Sequence, residues 1–357
     1  MCGTVGLFLG CSAVALCPKQ FLRQEKEKAP DDPAEADASA ALAAAPGTYV
    51  SPFRSWFDRS AVRSLPRRKI DSVGTAQQLF PLELVPLARH PLVMGMSPGV
   101  IDQVVVRQLY RYFDFTAKLE HLVVNRTVLG IAHGSVGVAV PDEMRLDAYK
   151  IYCDEAYHAL FSADLIHQVH RLTQVDVGPP LQPFFLTRLE RYLQEMPAEL
   201  RPLAEVLFVI VSETLISAHL TDLPDDGDIV PAVRDAVRDH ARDEGRHHTY
   251  FALFLRYLWG QLDPKHRKQA ALMVPALIHI FTAPDTAAAL NELMGYGLTE
   301  DQAREVIAEI YPEAAAKAYT AAVAQQTVRH FVGVGALEDG QARAAFTQAG
   351  LLPDGIR

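Results

Sequence analysis

His240-Ala241-Arg242-Asp243-Glu244-Gly245-Arg246-His247 is the stretch whose reading decides the fold. On a helix, His240, Glu244 and His247 stand at i, i+4 and i+7, so three side chains able to ligate a metal share one stripe. The surroundings suit a helix. No Pro occurs from Ala232 to Asp263, and Val233, Val237, Phe251 and Phe254 supply apolar positions. A second copy of the core, Asp154-Glu155-Ala156-Tyr157-His158, makes the spacing more than a chance event. Of all the glutamates, only Glu155 and Glu244 have a His three residues later.

Working outward, Glu120 precedes Glu155 by 35 residues and Glu213 precedes Glu244 by 31. Glu…Glu-x-x-His therefore occurs twice, each time on two expected helices. That is the ligand plan of ferritin-like di-iron four-helix bundles, in which two helices give one Glu and two give Glu-x-x-His. The 55 residues from His158 to Glu213 leave room for a long crossover. The residue types suit the chemistry. Carboxylates bridge metal ions about 3.5–4 Å apart, and imidazoles hold iron while leaving positions for dioxygen. Asp154 and Asp243, each just before its Glu, are placed to accept a hydrogen bond from the ligating His of the opposite motif.

Each element alone has a plainer reading. A single Glu-x-x-His is common on soluble helices, and a lone Glu120 or Glu213 is more often a surface or capping residue. Glu213, however, sits between Leu207-Phe208-Val209-Ile210-Val211-Ser212 and Thr214-Leu215-Ile216. A carboxylate buried in such a run needs a partner, which a metal supplies. His167, His170, His219 and His248 read as solvated or core polar residues, with His219 and His248 near enough to line a pocket. His240 is a seventh donor. Seven helical residues rise roughly 10.5 Å, so His240 and His247 straddle Glu244 by about 5 Å each way. Both reach one iron near the level of Glu244 only tightly, and a local distortion of that helix would ease the fit.

The composition of the rest of the chain describes a soluble globular protein. Its 357 residues allow one large domain or two ordinary ones, with 49% hydrophobic and 22% charged residues. A net charge of −9 and the lack of a long basic run argue against nucleic acid. Arg67-Arg68-Lys69, the densest basic cluster, reads as a solvated turn. Cys2, Cys11, Cys17 and Cys153 form no disulfide framework and fit a reducing cytoplasm. Thr4 to Cys17 is apolar but too short to span a membrane, and no Lys or Arg precedes it to make a signal peptide. Met1-Cys2-Gly3 is similar to the start of amidotransferases with an N-terminal Cys nucleophile, but nothing downstream supports that reading.

Residues 1–45 read as a flexible low-complexity tail and 46–350 as a single helical domain. Ser51 to Arg68 is expected to lie over the surface, and Phe80 to Pro98, with four prolines, to be irregular or in short helical pieces. Long helices are expected over about 100–126, 142–174, 201–221 and 231–261, with Ser97-Pro98, Pro202 and Pro231 at or near their starts. A shorter one is expected at 183–196, and others at 264–281, 285–296, 299–309, 312–332 and 340–349. No period-two alternation stands out, so the chain reads as all-α.

At Glu120, Glu155-x-x-His158, Glu213 and His240-x3-Glu244-x2-His247 the sequence resembles the di-iron arylamine N-oxygenases typified by p-aminobenzoate N-oxygenase. The resemblance covers roughly 50 to 335 and includes Phe80-Pro81 to His90-Pro91-Leu92-Val93. It implies two iron ions bridged by Glu155 and Glu244. Glu120 and His158 would complete one iron; Glu213, His240 and His247 would complete the other. It implies dioxygen as co-substrate, a primary amine taken to hydroxylamine, nitroso or nitro product, and a place in secondary metabolism. Electrons would come from an external reductase or electron-transfer protein, since no flavin or iron–sulfur motif is present. The expected setting is cytoplasmic, with a small-molecule amine as substrate, no membrane, and a homodimer as the assembly. Thr116, Ala117, Ala159, Ser162 and Ser217 are expected to leave a cavity beside the irons, and Arg329 or His330 to meet a substrate carboxylate. The alternatives are another di-iron oxidase (an acyl desaturase or hydroxylase) and, less favoured, a radical-housing or iron-storage bundle.

Overall fold

Proline sets the starts of three long helices. Pro98, Pro231 and Pro264 each occupy a first turn, where the missing N–H costs nothing. The computed structural model describes residues 33–44, 47–74, 77–178, 182–220 and 227–352. Cys2, Cys11, Cys17 and the apolar stretch between Thr4 and Cys17 lie outside them, as does the question of a tail over residues 1–32. Among the described residues the only paired extended backbone is an isolated parallel bridge between Gln78 and Ile229.

In chain order the helices are α1 (Pro33–Ala43), α2 (Pro98–Leu119), α3 (Asn125–Ala132), α4 (Asp142–Thr173), α5 (Phe184–Glu195), α6 (Arg201–Leu220), α7 (Pro231–Gln261), α8 (Pro264–Thr282), α9 (Thr286–Gly295), α10 (Glu300–Ile310), α11 (Glu313–Val323), α12 (Gln325–Gly333) and α13 (Gly340–Gln348). Their bounds follow the expected ones closely, except that the single helix expected over 312–332 is broken at Ala324 into α11 and α12. Two differences stand out at the first long helix. Ser97 occupies its N-cap position but makes no side-chain cap. The helix also runs past the expected stop near Arg126 to Ala132, by way of a π turn over Glu120–Val124. It ends at Gly134, whose φ of 70° is the left-handed conformation glycine adopts without strain.

The bundle is built as two pairs. α2 and α3 pack along α4, α6 packs along α7, and α4 meets α7 across the middle. α6 is apolar through its middle, where Leu207 to Val211 form a fully buried run. Such a helix belongs at the centre of a large core. α8 covers α6, α5 and α13 cover α8, and α12 touches both α6 and α7. Pro264–Gly295 is long and apolar enough to cross a membrane by length and hydropathy alone. It is interrupted after Thr282, and Val274, Leu277 and Ile278 are fully buried within the bundle, so it is a core element.

The segment before α2 departs from expectation. Ser51 to Arg68 is not simply laid over the surface: Phe53 is fully buried and Trp56 is 6% exposed. Two short helical turns, Trp56–Arg59 and Ala61–Ser64, hold it, and the second packs on both α4 and α7. α1, in the Ala-rich stretch, lies along α7 with Ala41 buried, and Asp37 accepts the Ser55 N–H. Alanine side chains let the two helix backbones approach closely.

Candidate metal centre

The four bundle helices bring all seven expected donors together in the core. Glu120 opens the π turn that follows α2, Glu155 and His158 project from α4, Glu213 from α6, and His240, Glu244 and His247 from α7. Each is no more than 2% exposed. They form two groups whose ligand atoms lie within 4.8 Å of one another. One comprises Glu120, Glu155, His158, His240 and Glu244; the other comprises Glu155, Glu213, Glu244 and His247. Glu155 and Glu244 belong to both.

His240 falls in the other group from the one expected. Its Nε2 lies 2.9 Å from Glu120 Oε1 and 3.0 Å from Glu244 Oε1. His247 Nδ1 lies 3.2 Å from Glu244 Oε1, 3.1 Å from Glu155 Oε1 and 3.9 Å from Glu213 Oε2. His240 and His247 approach the same Glu244 oxygen from one turn before and one turn after it, and the carboxylates arriving from other helices, Glu120 beside His240 and Glu155 beside His247, set which group each imidazole joins. The expected distortion of α7 is absent, since α7 is regular throughout. The distortion sits at Glu120, the first residue of the π turn, as such bulges often do at functional sites.

Each motif's aspartate orients the histidine of the other. His158 Nε2 donates to Asp243 Oδ2 at 3.0 Å, and His247 Nε2 donates to Asp154 Oδ2 at 3.3 Å. A neutral imidazole with its proton on Nε2 presents a lone pair at Nδ1, and both Nδ1 atoms face the glutamates. The aspartates are held in turn by groups the sequence did not reveal. Trp56 Nε1 donates to Asp154 Oδ2 at 2.8 Å. Asp243 receives the Ala61 N–H at 3.1 Å and the buried Arg246 guanidinium. Phe53 stacks on the His247 ring with centroids 5.9 Å apart. A signal was available in Trp56, one of only two tryptophans, but its basic neighbours made it read as surface.

The electrostatics show what the cluster lacks. Burial pushes the Glu120 and Glu213 carboxyls well above the usual range, with neighbouring glutamates adding to it. Burial and Glu244 act the same way on Glu155, and burial on Glu244, yet His247 and the other imidazoles outweigh this and both are held low. Burial opposes charge on His158, but hydrogen bonds to Asp243 and Glu155 raise it to about 10. Burial and His158 likewise oppose charge on His240, while Glu120 and Glu244 bring it to about 9. The surrounding carboxylates thus favour the charged form of all three imidazoles. Oε2 of Glu120, of Glu213 and of Glu244 are buried without a hydrogen-bond partner. Such atoms need a donor or a cation. Four carboxylates balance two divalent ions, and a carboxylate and imidazole set suits iron, so the residues fit a two-iron centre.

A cavity of about 190 Å³ reaches the helices of the two single glutamates. It is lined by Thr116, one turn before Glu120, and by Ile216, just after Glu213. Tyr112, Phe115, Phe184, Phe185, Phe281 and Tyr311 make its walls aromatic. Of the small residues expected to open it, only Thr116 is in its wall. Ala159 and Ser162 are buried elsewhere, Ala117 is half-buried, and the side chain of Ser217 lies outside the described residues. Arg329 is exposed beside Gln325, and His330 pairs with His248 at 2.9 Å, so neither lines this cavity. Arg111 is the sole cation in the wall, and it is bound to Glu292 and Gln108. His170 Nδ1 donates to Val175 O at 2.8 Å, just past the C-terminal end of α4, as a polar structural residue. The side chain of His219 lies outside the described residues.

With this geometry in place, two comparisons are informative. The family model described as "P-aminobenzoate N-oxygenase AurF" matches residues 56–335. A "4-aminobenzoate N-oxygenase" from Streptomyces thioluteus is 27% identical over 234 residues, covering 65% of this chain and 69% of the relative.

Proposed function

Because the chain belongs to the p-aminobenzoate N-oxygenase family, we propose that it is a di-iron, dioxygen-dependent oxygenase that adds oxygen to the nitrogen of an arylamine. The observation that carries the reading is the sharing of Glu155 and Glu244 between two donor groups. One iron would be held by Glu120, His158 and His240 and the other by Glu213 and His247, with Glu155 and Glu244 across both. When bound, the pair supplies the capacity to activate dioxygen for oxidation of the amine to hydroxylamine, nitroso or nitro product.

The chain's own residues do the rest. Asp154 and Asp243 fix the tautomers of His247 and His158. The aromatic cavity holds the substrate ring and keeps water from it. With Arg111 committed to Glu292, ring contacts dominate recognition. Electrons come from an external carrier, and the setting we infer is cytoplasmic and tied to secondary metabolism. The test is to expose iron-loaded, chemically reduced protein to oxygen with a panel of amines and analyse products by mass spectrometry. Oxygen gain on an arylamine supports the reading. No gain on any amine, with desaturation of a fatty acyl substrate instead, overturns it.

A further inference from the structure

A line of contacts leads from the surface to the donor group built on His247. Asp154 Oδ2 accepts from both His247 Nε2, at 3.3 Å, and Trp56 Nε1, at 2.8 Å. The Trp56 ring meets Phe57 edge-on with centroids 5.1 Å apart. Phe57 is 60% exposed, although a large aromatic ring gains nothing from water. The other aspartate has no such lead, because Asp243 takes a backbone N–H from Ala61. The His247 half is therefore joined through a hydrogen-bonded aspartate and indole to a ring at the surface, whereas His158 and His240 meet the partly exposed Phe161 by ring contact alone.

The surface around Phe57 is charged against the trend of the chain. Residues 54–69 hold six basic side chains and one acidic, Asp58, in a chain of net charge −9. Arg67 and Arg68 are held by Asp164 and Asp239. Arg54, Arg59 and Arg63 are exposed, and no ion pair with a carboxylate is formed by them among the described residues. An exposed ring set among uncommitted arginines fits an acidic protein surface, which the local field would steer into place.

We propose that residues 54–63 are the docking surface for an acidic one-electron carrier protein, and that Trp56 and Asp154 couple that carrier to the iron held by His247. The inference rests on the two-iron reading above. Two reduced carriers each give up one electron and leave oxidised; the two ferric ions become ferrous. No bond in the chain forms or breaks. Electron tunnelling decays more slowly along hydrogen-bonded contacts than through space, which is the physical reason for the line.

The probe is an acidic [2Fe–2S] ferredoxin, used with the full-length, iron-loaded, oxidised protein. Calorimetry should show binding that weakens steeply with salt, and Arg54→Glu/Arg59→Glu/Arg63→Glu should weaken it at least tenfold. Stopped-flow reduction by the ferredoxin should slow at least tenfold more than reduction by dithionite in Trp56→Phe, both rates taken per bound iron. Unchanged affinity in the charge-reversal variant overturns the docking surface. Equal slowing of both reductants, or an unchanged rate, overturns the relay. If Trp56→Phe loses all its iron, Trp56 is structural and the relay is overturned, while the charge-reversal variant still decides the surface. A wild-type chain that binds no iron overturns the two-iron reading and this inference together. Iron binding and amine oxidation with dithionite, but no salt-sensitive ferredoxin binding, overturns the docking surface alone.

Discussion

His158 and Asp243 stand 85 positions apart in the chain, and their side chains meet at 3.0 Å, with His158 Nε2 donating. The pairing of His247 with Asp154 repeats it in reverse, so each half of the duplicated motif positions the other. Removing either aspartate frees an imidazole to change tautomer or rotate. Asp154→Ala and Asp243→Ala are expected to lose about 10–100-fold in metal affinity. Asp243→Ala should also be the less stable protein, because it strands the buried Arg246. Iron stoichiometry under chelator competition, with thermal unfolding alongside, checks both. Full iron content in the two variants would count against the orienting role.

Much of this was legible in the sequence, because its signals are local. Helix starts at Pro98 and Pro231 follow from what proline does to a first turn, and the buried Glu213 follows from the apolar run around it. The cross-pairing of Asp154 and Asp243 was readable from the repeated Asp-Glu-x-x-His spacing. Three things were not readable. The π turn at Glu120 depends on a one-residue shift in backbone pairing that no side-chain pattern encodes. The group to which His240 belongs depends on where Glu120 arrives from another helix. The burial of Trp56 depends on a segment folding back over α4 and α7, and its basic neighbours give the opposite cue.

The position of His240 makes a stoichiometric prediction. It shares its group with Glu120 and His158, while Glu213 and His247 make up the other. His240→Ala should weaken one iron and leave the other, giving about one tightly held iron per chain. Glu213→Ala should empty the opposite position. Mössbauer spectra of the two variants should then lose different halves of the wild-type signal. Loss of the same half in both would return His240 to the Glu213 side.

Protonation in the metal-free protein has a definite sign. His158 and His240 are held at about 10 and about 9, both above the ordinary histidine value, and His247, Glu120 and Glu213 are also shifted upward. A raised folded-state pKa means the folded chain binds more protons than the unfolded one. For the histidines that stability is fully present below about pH 6.5 and is lost as pH rises toward 9 and 10. The metal-free protein should therefore become less stable from pH 7 to pH 10. Iron binding needs neutral imidazoles and ionised carboxylates, so loading should release protons and apparent affinity should rise with pH. Calorimetry in buffers of different ionisation enthalpy measures the release. Loading without proton release at pH 7 contradicts the charge assignment.

Substrate choice turns on Arg111 and Glu292. Arg111 is the one cation in the cavity wall, and Glu292, buried on α9, holds it together with Gln108. Tyr296 donates to the other Glu292 oxygen at 2.7 Å, which keeps that carboxylate in place. A ring bearing a carboxylate must compete with Glu292 for the guanidinium, whereas an uncharged ring need not. Glu292→Gln removes the competing charge and retains the shape. The ratio of kcat/KM for 4-aminobenzoate to that for aniline should then rise on the order of tenfold, which corresponds to about 1.4 kcal/mol of added carboxylate recognition. Iron content should not change, since Glu292 lies outside both donor groups. Thr116→Phe, which narrows the cavity one turn before Glu120, should instead depress turnover of both amines. An unchanged ratio in Glu292→Gln, with activity intact, would mean that the substrate's polar end does not lie at Arg111.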